Sequence, residues 1–326
     1  MSTGLASERQ LAMLRTALGL SIVEALSDPL VIEIMVNPDG RLWLDRLGEG
    51  RTATDVCLDR AQTERIIRLV ANQDRQEAHR EAPLVSTEFE FGDQVEGPAR
   101  FEGALPPVAM APCFAIRKAA RRVHRLDDYV CDEVLTPAQA SLLREAVQER
   151  RNILIAGGTS SGKTTLANAL LAEMADLNER VILIEDTREL RCAAPDVVAL
   201  KTRPGVASMG DLVRSTMRLR PDRIIVGEVR GSETLDMLKA WNTGHPGGVA
   251  TIHANGPMAA LFRVEQLVQE AVATVPRHLI ADAINLIVFI AGRGLARRVE
   301  AVVGVAGLAP DGRYRLIDQT CGEDIP

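Results

Sequence analysis

Residues 157–164 read Gly157-Gly158-Thr159-Ser160-Ser161-Gly162-Lys163-Thr164, the spacing G-x-x-x-x-G-K-[ST] of a loop that cradles phosphate. The glycines let the backbone curl until its N–H groups point at an anion, and a helix that starts at the end of the loop adds its positive N-terminus. In such a loop Lys163 reaches the β- and γ-phosphates and Thr164 offers a hydroxyl to Mg2+. Asn152-Ile153-Leu154-Ile155-Ala156 reads as a buried strand before it, and Thr165-Leu166-Ala167-Asn168-Ala169-Leu170-Leu171 as a helix after it. That strand–loop–helix context separates a nucleotide grip, with Thr165 included, from a glycine-rich turn that binds nothing.

Gripping a nucleotide is not hydrolysing it, which also needs carboxylates to hold Mg2+ and to orient the attacking water. Two apolar runs end in acids. Val181-Ile182-Leu183-Ile184 leads to Glu185-Asp186 and on to Glu189, and Arg223-Ile224-Ile225-Val226-Gly227 leads to Glu228. In a parallel sheet the carboxyl ends of the strands meet at the edge where ligands bind, so Glu185 and Glu228 are the candidates, ahead of Asp186 and Glu189. The competing reading makes either acid a helix cap or the partner of an arginine. A third station runs Gly244-His245-Pro246-Gly247-Gly248-Val249-Ala250-Thr251-Ile252-His253. Its spacing does not suit a compact metal site and no cysteine is near. Imidazole can donate a hydrogen bond to an anion, so His253 and His245 read as contacts or sensors for a γ-phosphate.

These residues need elements to hold them. Residues 1–26 carry Leu11, Leu14, Leu18 and Ile22 at helical spacing. Val31–Val36 reads as a strand, Asn37-Pro38-Asp39-Gly40 as a turn and Leu42–Leu44 as the returning strand of a hairpin. A helix is expected at about 61–73, loops and short strands over 81–108, and a strand at Phe114–Arg117. A basic stretch follows, with Arg117, Lys118, Arg121, Arg122, His124 and Arg125; it is either a solvated linker or a set of phosphate-facing arginines. Thr136 with Pro137 marks a helix start. The expected organisation is an N-terminal α+β domain over 1–118, a linker over 119–134 and an alternating α/β domain over 135–326. Strands of the latter are expected near 152–156, 181–185, 197–201, 223–227, 248–252 and 286–290.

The bulk of the chain narrows the function classes. Its 326 residues suit about two domains, and 46% hydrophobic with 25% charged residues is ordinary for a globular protein. Aromatics are 3% and the net charge is −6, which leaves neither stacking platform nor basic groove, so no sequence-specific nucleic-acid binding is expected. The five cysteines form no C-x-x-C pair, which fits free thiols in a reducing cytoplasm. No apolar stretch approaches the ~20 residues of a membrane span, so any membrane association is expected to be peripheral.

Taken together, the motifs resemble the secretion-superfamily traffic ATPases. Gly157–Thr164 matches their Walker A motif, Ile184 to Glu189 the Asp box, Ile224 to Glu228 the Walker B motif, and Gly244-His245 to Ala254 the His box, in that order. The approach Met217-Arg218-Leu219-Arg220-Pro221-Asp222-Arg223 matches as well. Within the superfamily the chain is most similar to the conjugal-transfer, TrbB-like branch of type IV secretion ATPases. Ile34-Met35-Val36-Asn37-Pro38-Asp39-Gly40, Arg100-Phe101-Glu102 and Phe114-Ala115-Ile116-Arg117 carry that likeness into the N-terminal part. The resemblance implies an α/β fold, with a RecA-like P-loop NTPase domain and a smaller α+β N-terminal domain. It implies a homohexamer that hydrolyses ATP with Mg2+ and works with inner-membrane components of a type IV secretion complex, cytoplasmic and peripheral at that membrane. It further implies that Arg100 and Arg117 bring positive charge to the phosphates, in cis or in trans. Glu185 would polarise water while Glu228, with Thr164, holds Mg2+, although the reverse division of the glutamates has equal physical merit. A type IV pilus or type II secretion motor, or a nucleotide-gated scaffold without turnover, is the alternative.

Overall fold

The computed structural model of the chain describes residues 2–89, 91, 98–118 and 123–325. Residues 119–122, the first four of the expected linker, with Arg121 and Arg122 among them, lie outside them. The chain divides into two compact units, Met1–Arg121 and Arg122–Pro326.

The first unit is α+β. Helix α1 (Ser2–Ser27) buries Leu14, Leu18 and Ile22 along one stripe and breaks at Gly19, whose φ of 73° no helix contains. The break frees carbonyls of the preceding turn, and Gln62 Nε2 donates to that of Ala17 at 3.1 Å. Strands β1 (Val31–Val36), β2 (Arg41–Arg46) and β3 (Gly50–Cys57) form a meander, followed by α2 (Arg60–Gln73), β4 (Leu84–Phe89), β5 (Ala99–Ala104) and β6 (Cys113–Arg117). The sheet is antiparallel in the order β3-β2-β1-β6-β5-β4. Its register separates two faces cleanly. One row runs Thr87, Phe101, Ile116, Ile34, Leu44 and Thr52; its central members Phe101, Ile116, Ile34 and Leu44 carry the core with Ile66, Ile67 and Val70 of α2, while Thr52 at the β3 edge is exposed. The next row is Glu88, Arg100, Arg117, Glu33, Asp45 and Arg51, every member charged. β3 was not expected from the sequence.

The second unit starts with α3 (Leu126–Cys131), which falls inside the expected linker and buries Leu126 and Tyr129 in this unit's core. Helix α4 (Pro137–Gln148) starts as its sequence predicts. Thr136 Oγ1 accepts from the N–H of Gln139, and Gln139 Oε1 accepts from the N–H of Thr136. Then follow β7 (Ile153–Gly157), α5 (Lys163–Ala172), β8 (Arg180–Glu185), β9 (Asp196–Lys201), α6 (Met209–Thr216), β10 (Arg223–Val226), α7 (Glu233–Asn242), β11 (Val249–His253), α8 (Pro257–Gln269), α9 (Arg277–Ala283) and β12 (Leu286–Ala291). Beyond the expected strands come β13 (Arg298–Leu308), β14 (Tyr314–Asp318) and the short β15 (Asp324–Ile325).

These strands make one mixed sheet in the order β15-β14-β13-β12-β7-β11-β10-β8-β9. The strands from β12 to β9 are parallel, and β13 to β15 fold back antiparallel at one edge. Alternate residues of the parallel strands face opposite helical layers, which is why these strands read as unbroken apolar runs. Leu154, Ile182, Ile224 and Ala250 pack with α6 to α9, while Ile153, Val181, Ile225 and Val249 pack with α3 to α5. Two features lock the amino edge of the sheet. Gly248, just before β11, leaves room for the indole of Trp241, whose Nε1 donates to Ile224 O at 3.1 Å. Arg223, 1% exposed, pairs with Glu179 and donates to Val147 O at 2.8 Å, while Arg150 Nε donates to Glu179 Oε1 at 2.7 Å.

Candidate active site

Strand β7 lies between β11 and β12, and their ends are level: Gly157 pairs with His253 on one side and with Ile290 on the other. The phosphate loop therefore rises from the middle of the carboxyl edge. A side chain at Gly157 would run into Ile290 O and come within 2.6 Å of Ser161 Oγ, so the loop closes on itself only with glycine there. Gly162 has φ +95°, a left-handed value that suits glycine, and from it the N-terminus of α5 faces into the loop. A β-carbon at Gly158 would meet nothing within 4 Å, so this part of the loop is open. Lys163 is 7% exposed; its Nζ donates to Gly157 O at 3.1 Å and Gly158 O at 2.9 Å. The ammonium is thus folded over the loop it serves.

Around this ammonium the expected stations converge. The ring nitrogens of His253 both lie 3.4 Å from Lys163 Nζ. His253 Nε2 sits 2.8 Å from Glu228 Oε1, an ion-pair distance that still leaves this buried oxygen without a directed hydrogen bond. Arg230 grips the other oxygen: its Nε donates to Glu228 Oε2 at 2.8 Å, and its Nη2 bonds the same atom. Arg230 Nη1 is also 3.9 Å from Asp186 Oδ2. Partial burial works against the charge of Arg230, yet its bond and attraction to Glu228, with Asp186 and Glu189 beyond, hold its pKa above the ordinary value. Burial, and then the Lys163 ammonium, push the His253 imidazole below its ordinary value against the pull of Glu228. At neutral pH the ring is therefore uncharged, able to donate from one nitrogen and accept at the other.

Glu185, 4% exposed, is used differently. Its Oε1 accepts the backbone N–H of Glu189 at 2.9 Å and of Leu190 at 2.7 Å, so the carboxylate folds the 186–190 loop around itself. Asn168 on α5 clamps the far side of that loop, donating to Glu189 O at 3.0 Å and accepting from Arg191 N at 2.8 Å. Gly227 makes room for the arrangement, because a β-carbon there would lie 3.1 Å from Glu185 Cγ. That is a steric reason for glycine in front of Glu228. Thr251 donates to Gly227 O at 2.7 Å and fixes β11 to the turn after β10.

The structure thus gathers the 157–165 loop, Glu185, Glu228 and His253 at one sheet edge. It does not bring His245 there. His245 precedes β11 at the amino edge, where its Nδ1 lies 3.1 Å from Pro221 O. Along a strand rising about 3.3 Å per residue, that is roughly 15 Å or more from the phosphate loop. Arg100 and Arg117 belong to the first unit, where they face each other directly across β5 and β6, and Arg100 Nη2 is 3.1 Å from Glu102 Oε1. Two residues escaped the sequence reading. Arg230 lies two positions beyond Glu228. Arg297, just before β13, lays its guanidinium against Gly162, where a β-carbon would be 2.9 Å from its Nε; that Nε is buried and has no hydrogen-bond partner. A distant residue such as Arg297 leaves no local signal; only the pairing of β12 with β13 brings it back.

The oxygen donors present fit Mg2+, which keeps much of its water and leans on substrate phosphates plus one or two carboxylates. Thr164 and Glu228 are the residues that would hold it, and among the described residues no group of three or more His, Cys, Asp and Glu forms a self-sufficient metal cage. Also among the described residues, no helix is long and apolar enough to cross a membrane.

The family described as type II/IV secretion system protein matches residues 94–301. The conjugal transfer protein TrbB of Rhizobium radiobacter is 48% identical over 92% of this chain and 91% of its own length. The type IV secretion system protein VirB11 of Bartonella quintana is 31% identical over 76% of this chain and 78% of its own. Among solved structures, the Legionella pneumophila ATPase DotB superposes with a TM-score of 0.60 at 19% identity, over 91% of this chain and 78% of that one. The pilus retraction motor PilT with bound ADP gives a TM-score of 0.60 at 18% identity, over 83% and 77%. These two share the fold, an α+β unit followed by a RecA-like α/β unit.

Proposed function

This chain belongs to the type II/IV secretion system protein family, and we propose that it hydrolyses ATP, as a homohexamer, to power a conjugative type IV secretion machine. Its relatives named for conjugal transfer, 46–48% identical over more than nine-tenths of the chain, support that machine over a pilus or type II secretion motor. The observation that carries the catalytic reading is the line Lys163–His253–Glu228 at the mouth of the phosphate loop. A nucleotide-gated scaffold has no use for a glutamate held there.

The loop N–H groups and Lys163 bind the β- and γ-phosphates, exchanging carbonyl partners for phosphate oxygens. His253, released from Lys163 by that exchange, donates to the γ-phosphate and reports its presence. Glu228 orients water or binds the ion together with Thr164, and Glu185 keeps the adjoining loop in place. Mg2+, when bound, neutralises charge that builds on the transferring phosphoryl group. Arg100 and Arg117 are our candidates for further positive charge on the phosphates. The protein works in the cytoplasm, against inner-membrane components of the secretion complex.

The test is turnover by the purified chain. Lys163→Ala and Glu228→Ala are each expected to abolish it, while the melting temperature stays near that of the unaltered protein. Sizing with a non-hydrolysable ATP analogue is expected to show a ring of six. Near-normal hydrolysis by both variants overturns the site assignment.

A further inference from the structure

The catalytic carboxylate is not free to act as it stands. Glu228 gives one oxygen to a two-pronged grip by Arg230 and holds the other at 2.8 Å from His253. The guanidinium occupies the lone pairs of Oε2 and offsets the charge of the carboxylate, so Glu228 as it stands is a weaker ligand for a cation and a weaker acceptor for a water proton. Oε2 becomes open to a cation or a water only when Arg230 lets go of it. The structure also supplies somewhere for it to go. Asp186 Oδ2 is 3.9 Å from Nη1 of the same guanidinium, at the end of the neighbouring strand β8. Asp186 is itself held in place by Thr202, whose hydroxyl donates to Oδ1 at 2.8 Å, leaving Oδ2 turned toward Arg230. The backbone beneath Arg230 is fixed: Glu233 Oε1 accepts the N–H groups of Arg230 at 2.7 Å and Gly231 at 2.8 Å. A swing between the two carboxylates therefore needs only side-chain rotation.

We propose that Arg230 is a positioning residue that withholds Glu228 until Mg2+ and nucleotide arrive, and that Asp186 receives its guanidinium when Glu228 is released. This rests on the ATPase reading above. Residues of both strand ends thus act as one device: Glu185 shapes the 186–190 loop, and that loop presents Asp186 to the arginine of the next strand.

The experiment compares Arg230→Gln, Asp186→Asn and the double variant. It measures the Mg2+ dependence of both turnover and fluorescent ATP-analogue binding. Arg230→Gln removes the competitor for Glu228, so the Mg2+ concentration at half-maximum is expected to fall by about fivefold, the weight of a partly exposed ion pair of about 1 kcal/mol. Asp186→Asn keeps an acceptor for Thr202 but no charge for Arg230. It is expected to raise the half-maximal Mg2+ concentration by about threefold, a bias of similar kind in the opposite direction. In the double variant the Asp186→Asn effect is expected to vanish, since no guanidinium is left to trap. The proposal is overturned if Arg230→Gln leaves the Mg2+ midpoint where it was, or if Asp186→Asn shifts it equally in both backgrounds. Arg230→Lys, which keeps the charge but loses the fork, is expected to fall between and stands in should the glutamine variant not fold. If the unaltered chain binds the analogue without turnover, hydrolysis fails as a reading, and the Arg230 device is still judged by the binding midpoint.

Discussion

The two strand-end glutamates can be separated by what each one holds. Glu185 Oε1 carries two backbone N–H groups, so Glu185→Ala strips two hydrogen bonds to a charged acceptor at once. Each such bond contributes about 1.5–3 kcal/mol. Glu189 is half-buried and its freed N–H can find water, whereas Leu190 is 8% exposed. The sum therefore falls at the low end, about 3 kcal/mol for the pair. The loss is local, confined to the 186–190 loop and its clamp by Asn168. Amide hydrogen exchange at Leu190 is the direct readout, and 3 kcal/mol corresponds to protection about a hundredfold weaker. Glu185→Gln keeps an oxygen for both donors but not its charge, and is expected to lose about half that free energy. Turnover should follow the loop: partly retained in Glu185→Gln, nearly gone in Glu185→Ala. If Glu185→Gln abolished turnover while Leu190 exchanged as slowly as before, Glu185 would be acting on the water itself and the structural assignment would be wrong.

Other outcomes follow from features away from the loop. Glu179→Ala leaves the buried Arg223 guanidinium facing only carbonyls, a loss of about 3–5 kcal/mol, whereas Glu179→Leu with Arg223→Met should cost much less. Thermal unfolding of the two variants decides it, and equal melting temperatures would refute the pairing. Gly248→Ala would drive a methyl group into the Trp241 indole and break its bond to Ile224 O; urea unfolding should show a loss of about 2–4 kcal/mol. Asp211 accepts from Ser208 at the start of α6 and pairs with Arg214, which brings its carboxyl down to about 2 from an ordinary 3.8. Because the folded value is the lower one, this cap contributes fully above the ordinary value and is lost as pH falls toward the folded one. An NMR titration of the Asp211 carboxyl should show its midpoint near 2; a midpoint at the ordinary value would refute the cap.

Local chemistry explains which parts could be read in the sequence. The phosphate loop declares itself because the turn demands glycine and the chemistry demands lysine within eight consecutive residues. Glu185 and Glu228 follow from strand polarity alone. The same polarity, applied to His245, places a residue before β11 at the edge opposite to one after it, so the two histidines could not both serve the loop. Strand β3 was missed because its residues are mostly exposed and carry no apolar alternation; only pairing with β2 makes it a strand. Antiparallel β13 and β14 were missed for a similar reason, since their register depends on β12 rather than on a pattern of their own. The grip of Arg230 on Glu228 is a matter of rotamers in a loop. No spacing rule distinguishes such an arginine from a solvated one.

The order of strands also sets when the site can exist during synthesis. The loop-bearing β7 is made early, but both strands that flank it, β11 and β12, come late, after β8 to β10 have already been laid down. A growing chain that has just passed Thr164 has the motif and none of its walls. Closing the gap takes roughly 130 more residues, on the order of 10 s at about 5–20 residues per second. Until then β7 is an apolar strand with two unpaired edges, the kind of segment that other chains capture. Ribosome-held fragments that stop before residue 286 should fail to retain nucleotide, and the newborn protein should need sheltering through that interval.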